Sequence, residues 1–419
     1  MKQNRVSQTL LEPFQALRNG VFARLYFAQS ISLLGDAFTW IGLALISYQF
    51  GKAQSAVILS TALTLRVVAF IVFSPFAGVL SDRVDRKKIL YITHFVRMII
   101  VVCMVFIAQI WQIYALVFLL NVFNAFFTPT YKSIIPHIVD RPEYRQAIGL
   151  STATFQLLGV LGPGLAGIMA IWFGARNIFL IDAASFILAG LLILTLPADK
   201  LRKADNTDAG QKPLSTWEDV VSGARLLFSN PLIRFALMIE FISAVAGAEI
   251  LVNTIGHIKQ GLNLTDRYYG WVMAAFGVGA SVAAFFSGSL DKSKSRRTSL
   301  IAGTLVLGLA IVTANYVGFS VLMVLWLLAG LGQSLAEIPS ETLIGENIQE
   351  SQQGKVYGSH FAFSHLWWAV AYPIAGFTGS RFPGQDFLLG GGLTIVLLLI
   401  ALLVQKIDHR KSQKSTSIN

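Results

Sequence analysis

Gly78-Val-Leu-Ser-Asp82-Arg83-Val-Asp85-Arg86-Lys87-Lys88 packs six charged residues into a short connection between two long apolar runs, near 56–80 and 89–108. Each flanking run has the roughly 20 residues that a helix needs to cross the hydrocarbon core of a bilayer. The same alternation extends in both directions, with apolar segments near 24–48, 112–131, 146–172 and 178–197, then 233–256, 268–290, 299–315, 319–342, 356–380 and 386–405. Over all 419 residues, 54% are hydrophobic and 13% are charged, about half the charge of a soluble domain. That composition speaks against a soluble enzyme and for one polytopic unit whose main solvent is lipid.

Between the sixth and seventh segments, residues 198–230 carry Lys200, Arg202, Lys203, Asp205, Asp208 and Lys212 and are too polar to span. The sequence therefore predicts an all-α membrane protein of twelve transmembrane helices. They form a six-helix bundle over 1–197, a linker over 198–230, and a second six-helix bundle with a basic tail over 231–419. Within the linker, Ser215 or Thr216 is placed to cap a helix from Trp217. Val220, Val221, Ala224, Leu227 and Phe228 share its apolar side, which suits either a helix on the cytoplasmic membrane surface or a plain tether.

The net charge is +11, but the basic residues punctuate apolar runs rather than line one face, so they do not read as a nucleic-acid surface. Their distribution instead gives orientation. Twenty-six Lys and Arg fall in the connections that share a side with both termini and five on the other side, with Arg66 and Arg97 inside spans. The positive-inside rule then places both termini in the cytoplasm. Cys103 is the single cysteine, so no intrachain disulfide or thiolate cluster can form. The polar N-terminus does not read as a removable signal peptide. Gly78 and Gly288, Pro129 and Pro339, Pro163 and Pro373, and Arg24 and Arg234 recur 210 residues apart. Parallel repeats of this kind are the organisation of transporters that rock two halves about a central site.

The opening stretch resembles the loop between helices two and three of the major facilitator superfamily, matching its pattern at Gly78, Leu80, Asp82, Arg83, Arg86 and Lys87. It carries Asp85 where the common form has glycine. The acidic variant is similar to the branch of macrolide efflux proteins and enterobactin exporters. The glycine allows close helix approach, and Asp82 can pair with cations or a helix N-terminus, which makes a breakable cytoplasmic latch. Gly288, Asp291 and Arg296 form a weaker copy in the second half. Gly162, Pro163 and Gly167 resemble the family's antiporter motif, with Ala166 in place of one glycine. That resemblance implies export by antiport. The family's fourth-helix arginine has no counterpart in Asn121–Pro129.

Charges inside spans are costly, about 2.5–3.5 kcal/mol at the centre on insertion scales, and so are functional candidates. Asp36 and Arg66 fall at similar depth on antiparallel helices and can form a midplane pair. That pair is either a proton carrier or a static link between helices. Glu240 and Glu249 lie about 180° apart on one helix, which favours Glu240 as the cavity-lining acid. Glu337 reads as intramembrane, and Arg97 as snorkelling or paired with Asp82. Trp40, Phe155, Phe361 and Trp367 are candidates for an apolar pocket. The sequence holds no P-loop, no zinc or hydrolase signature and no cofactor motif.

These readings converge on a multi-pass transporter of the cell membrane, working as a monomer, that exports a small amphiphilic molecule in exchange for protons. A drug or macrolide-like compound comes first, a siderophore second and a lysophospholipid third. An uptake symporter and a transport-dead sensor or scaffold are the other readings.

Overall fold

The computed structural model describes residues 12–139, 141–201, 217–290, 296–346, 348 and 353–416. The described residues are almost wholly helical. In chain order we label α1 (Gly20–Gly51), α2 (Ser55–Arg83), α3 (Arg86–Val105) and α4 (Ile110–Ile138). The run Arg141–Leu194 is interrupted at Gly174, whose φ of 76° lies in the left-handed region that glycine enters without a Cβ penalty. Its two parts are α5 (141–173) and α6 (175–194). After the linker helix Trp217–Ser229 come α7 (Pro231–Gly256), α8 (Asp266–Leu290), α9 (Arg296–Val312), α10 (Phe319–Glu346), α11 (Gln353–Arg381) and α12 (Asp386–Thr416). Among the described residues, eight stretches are long and apolar enough to cross a membrane, the first running through α1 and most of α2 as Gly20–Ser74.

The chain divides into two compact units, residues 1–46 with 68–206, and residues 47–67 with 207–419. The end of α1 and the start of α2 therefore pack with the second unit. In unit 1, α3 lies between α4 and the α5–α6 run, and Phe22, Leu25, Tyr131, Ile134, Ala147, Ala189 and Ile193 close a buried core. In unit 2, α7 is the central helix, packed against α10, α11 and α12, while α10 also packs on α8 and α9. Close approach there depends on absent side chains: a methyl group at Gly279 would overlap the Leu327 carbonyl, and one at Gly330 the Phe276 carbonyl. Small residues that let backbones touch are how helices associate where lipid competes for every apolar contact.

The linker helix spans Trp217–Ser229. Leu227 is buried with Ile233, Leu237 and Val356, and Phe228 meets Phe363 edge-on at 5.1 Å. The segment is thus docked on α7 and α11 of its own unit. Ser215 and Thr216 lie outside the described residues.

Candidate functional site

Unit 1 carries a polar cluster inside apolar helices. Asp182 on α6 is fully buried and accepts hydrogen bonds from Thr39 Oγ1 of α1 at 2.5 Å and from Ser185 Oγ at 3.0 Å. Glycine at position 35 makes this possible, since a methyl group there would run into Asp182 Oδ1 and Ser185 Oγ. Asp36, the next residue on α1, acts electrostatically on both Asp182 and Arg97. Arg97 on α3 is 1% exposed. It donates to Asn124 of α4 and to His94 Nδ1 at 2.8 Å, with its guanidinium 4.8 Å over the Phe127 ring and 4.4 Å over Phe186. Snorkelling is thereby excluded. A long cationic chain snorkels only where its head can reach water, and here amide, imidazole and two aromatic faces hold the charge inside. Gly162 of the antiporter-like motif packs on α1, with a methyl there coming within 2.7 Å of Ala37 Cβ. Gly167 is buried; the Pro163 side chain lies outside the described residues.

Unit 2 carries a second cluster, along the seam between α7 and α10. Glu240 of α7 accepts from Ser340 Oγ of α10 at 2.6 Å and from His360 Nε2 of α11 at 2.9 and 2.8 Å. Ser243 donates to Glu337 Oε1 at 3.1 Å, which also accepts from Gln333 at 2.9 Å. Trp326 Nε1 donates to Thr254 Oγ1 at 3.1 Å. The three cross-bonds Glu240–Ser340, Ser243–Glu337 and Thr254–Trp326 keep one antiparallel register, so α7 and α10 are zipped by polar groups over most of their length. Within an apolar bundle each such bond satisfies a group that would otherwise be stranded. Glu249, one helical stretch further on, is fully buried. It is held by Thr378 Oγ1 at 2.8 Å and Asn253 Nδ2 at 2.6 Å.

The remaining sequence candidates are dispersed. Arg66 falls in the second unit, where it acts electrostatically on Tyr372 of α11, whereas Asp36 falls in the first. Trp40 and Phe155 belong to unit 1, with Phe155 51% exposed. Trp367 belongs to unit 2, where it stacks near Phe241 and Phe363 and lines an apolar groove of about 260 Å³ with Leu237, Met238, Leu397 and Ile400. The Phe361 side chain lies outside the described residues.

Of the loop motif, the side chains of Asp82 and Arg83 and the surroundings of Gly78 lie outside the described residues, as do the surroundings of Gly288 and the whole of Asp291 in the second-half copy. Arg296 opens α9. Asp85 has a clear structural role: it is the N-cap of α3, accepting from the Lys87 backbone N–H at 2.9 Å. Arg86 donates to the Ser133 carbonyl at 3.3 Å. Lys87 donates to the Leu194 and Leu196 carbonyls at 2.8 and 2.6 Å, satisfying acceptors that the end of α6 leaves open.

The sequence model of the Major Facilitator Superfamily matches residues 25–252 and 237–418. This chain belongs to the major facilitator superfamily. It is 25% identical to the uncharacterized MFS-type transporter YfiS of Bacillus subtilis, over 94% of this chain and 95% of that one. It is 21% identical to macrolide efflux protein A of Streptococcus pyogenes, over 92% and 96%, and 23% identical to the enterobactin exporter EntS of Shigella boydii, over 97% and 95%. Among solved structures, a bacterial homologue of the lysosomal transporter Spinster, inward-facing and occupied, superposes with a TM-score of 0.69 over 94% of this chain and 97% of that one at 15% identity. The protein is therefore a multi-pass membrane transporter and not an enzyme, with the helical fold expected from the sequence.

Proposed function

We propose that this transporter exports a small amphiphilic molecule across the cell membrane in exchange for protons, by alternating access of two six-helix halves with both termini in the cytoplasm. The observation that carries the reading is that acids sit inside apolar helices of both units. Asp36 and Asp182 lie beside Arg97 in one, and Glu240 and Glu337 lie on the α7–α10 seam in the other. Acids in such surroundings are retained for function rather than stability. Asp36, half-buried beside a fully buried partner, is the proton carrier, and Arg66 is the cation whose approach during alternating access would discharge it. The efflux relatives support export, and a drug or macrolide-like cation is the first substrate class because the excess of acids attracts cationic amphiphiles. A siderophore is the second, on the likeness to EntS over nearly the whole chain. The latch of the loop after α2 and a monomeric working unit complete the reading.

The test uses proteoliposomes with a trapped pH-sensitive dye and a panel of cationic drugs, catecholate or hydroxamate siderophores and lysolipids. Substrate-evoked proton movement that is lost in Asp36→Asn supports the assignment and names the class. Substrate movement that ignores both the gradient and the substitution refutes it.

A further inference from the structure

At the C-terminal end of α7, unit 2 holds a cavity of about 50 Å³. Its lining includes Ser55 from the start of α2, Asn253 and His257 from the end of α7, Gln260, Gly379 from α11 and Asp386 from the start of α12. Several observations there point to a ligand. Asn253, 2% exposed, donates its Nδ2 to Glu249 at 2.6 Å and to the Ala375 carbonyl at 3.1 Å. These two acceptors fix the orientation of the amide and leave Oδ1 buried with no protein partner. That oxygen points toward Gly379, where a methyl group would overlap it. His257, 7% exposed, likewise has a buried Nε2 without a protein partner. Buried polar atoms are nearly always satisfied, so two of them on residues that line one small cavity call for a bound species.

Charge decides which species. Asp386 is 5% exposed and Glu249 fully buried, and the two act electrostatically on each other. Among the described residues, neither has a Lys or Arg within ion-pair distance: Lys259, in the turn after α7, pairs with Asp266 at 2.7 Å, and Arg381, just before Asp386 in sequence, is exposed. The α7 helix ends in a π-turn at His257–Gly261, and a helix C-terminus adds negative potential. The available donors are mainly oxygens, from carboxylate, amides and hydroxyl, which suit a hard cation. Among the described residues no cluster of three or more His, Cys, Asp and Glu suits a multivalent metal. We propose that this cavity binds one small monovalent metal cation of the sodium class. The ligands are the Asp386 carboxylate, Asn253 Oδ1 and the Ser55 hydroxyl, with His257 contacting a water on the ion. Glu249 lies behind Asn253 and holds its amide in place through the 2.6 Å bond. Because Ser55 comes from α2 and the other groups from α7 and α12, the ion ties the start of α2 to the rest of unit 2.

This site goes beyond the proton reading, since equilibrium binding needs neither substrate nor gradient. The test is binding of radioactive sodium to the purified full chain in detergent at constant ionic strength, with potassium and choline as competitors. It is paired with thermal unfolding followed by tryptophan fluorescence, for which buried Trp326, 5.1 Å from the Phe387 ring, is a local reporter. Saturable binding of one sodium per chain, not displaced by choline and accompanied by stabilisation, is the expected result. Asp386 also accepts backbone N–H groups at the start of α12, a capping role that asparagine fills as well as aspartate, so Asp386→Asn keeps the cap and the acceptor for Asn315 (2.9 Å) while it removes the charged ligand and weakens sodium binding about tenfold or more. Ser55→Ala weakens binding less. Absence of saturable binding in the wild type, equal responses to sodium and choline, or binding unchanged in both variants overturns the proposal and leaves the cavity to water.

Discussion

Replacing Thr39 by valine removes one hydroxyl at nearly constant volume, and with it the 2.5 Å bond to Asp182. A hydrogen bond to a charged group is worth about 1.5–3 kcal/mol, against about 0.5–1.5 kcal/mol for a neutral pair. Asp182 is fully buried, so solvent cannot replace the lost donor, and Ser185 at 3.0 Å remains as its other hydroxyl donor. Thr39→Val should therefore lower the unfolding midpoint of unit 1 by about 3–12 °C, taking about 2–4 °C per kcal/mol for a body of this size. The assay is thermal unfolding in detergent of wild type, Thr39→Val, Asp182→Asn and the double variant. In the Asp182→Asn background the Thr39→Val cost should fall by about half, because the acceptor is now neutral. Equal costs in the two backgrounds, or no cost in either, would refute the reasoning that an ionised buried carboxylate organises this cluster.

Outcomes at four further sites follow from the geometry. His360→Leu strands Glu240 with Ser340 as its remaining cross-helix donor and should destabilise unit 2 by about 3–5 kcal/mol, while a Glu240→Leu/His360→Leu double variant recovers most of it; unfolding in detergent measures both. Gly330→Val, driven into the Phe276 carbonyl, should cost at least about 1–3 kcal/mol. Gly392→Ala, with nothing within 4 Å of the added methyl, should stabilise α12 by up to about 1 kcal/mol; yields of folded protein on size exclusion separate the two. Asp85→Ala should cost about 0.5–2 kcal/mol through the lost α3 cap and Asp85→Gly only a few tenths, which unfolding midpoints will rank.

The helical architecture was legible because apolar runs of about 20 residues have one stable form in lipid, and the repeat with its loop motif pointed to the family. The charged clusters were legible only in part. Glu240, Glu337 and Asp36 stood out as acids inside apolar runs, but Asp182 carried the same signal and was passed over. Arg97 looked able to snorkel because its depth along α3 says nothing about Asn124 and Phe186, which arrive from other helices. His360 carries no signal in the sequence, because the constant register between α7 and α10, and the approach of α11 to it, are tertiary facts with no local sequence mark. Asp85 read as a departure from the family pattern, and the capping geometry of α3 explains it.

The most direct test of the central claim is uptake of a cationic amphiphile into everted membrane vesicles energised with an acid interior, before and after the proton gradient is collapsed by a protonophore. Exchange of substrate for protons predicts accumulation that is lost on collapse and absent in Asp36→Asn. Accumulation that survives collapse of the gradient, or that Asp36→Asn supports at the wild-type rate, would contradict it.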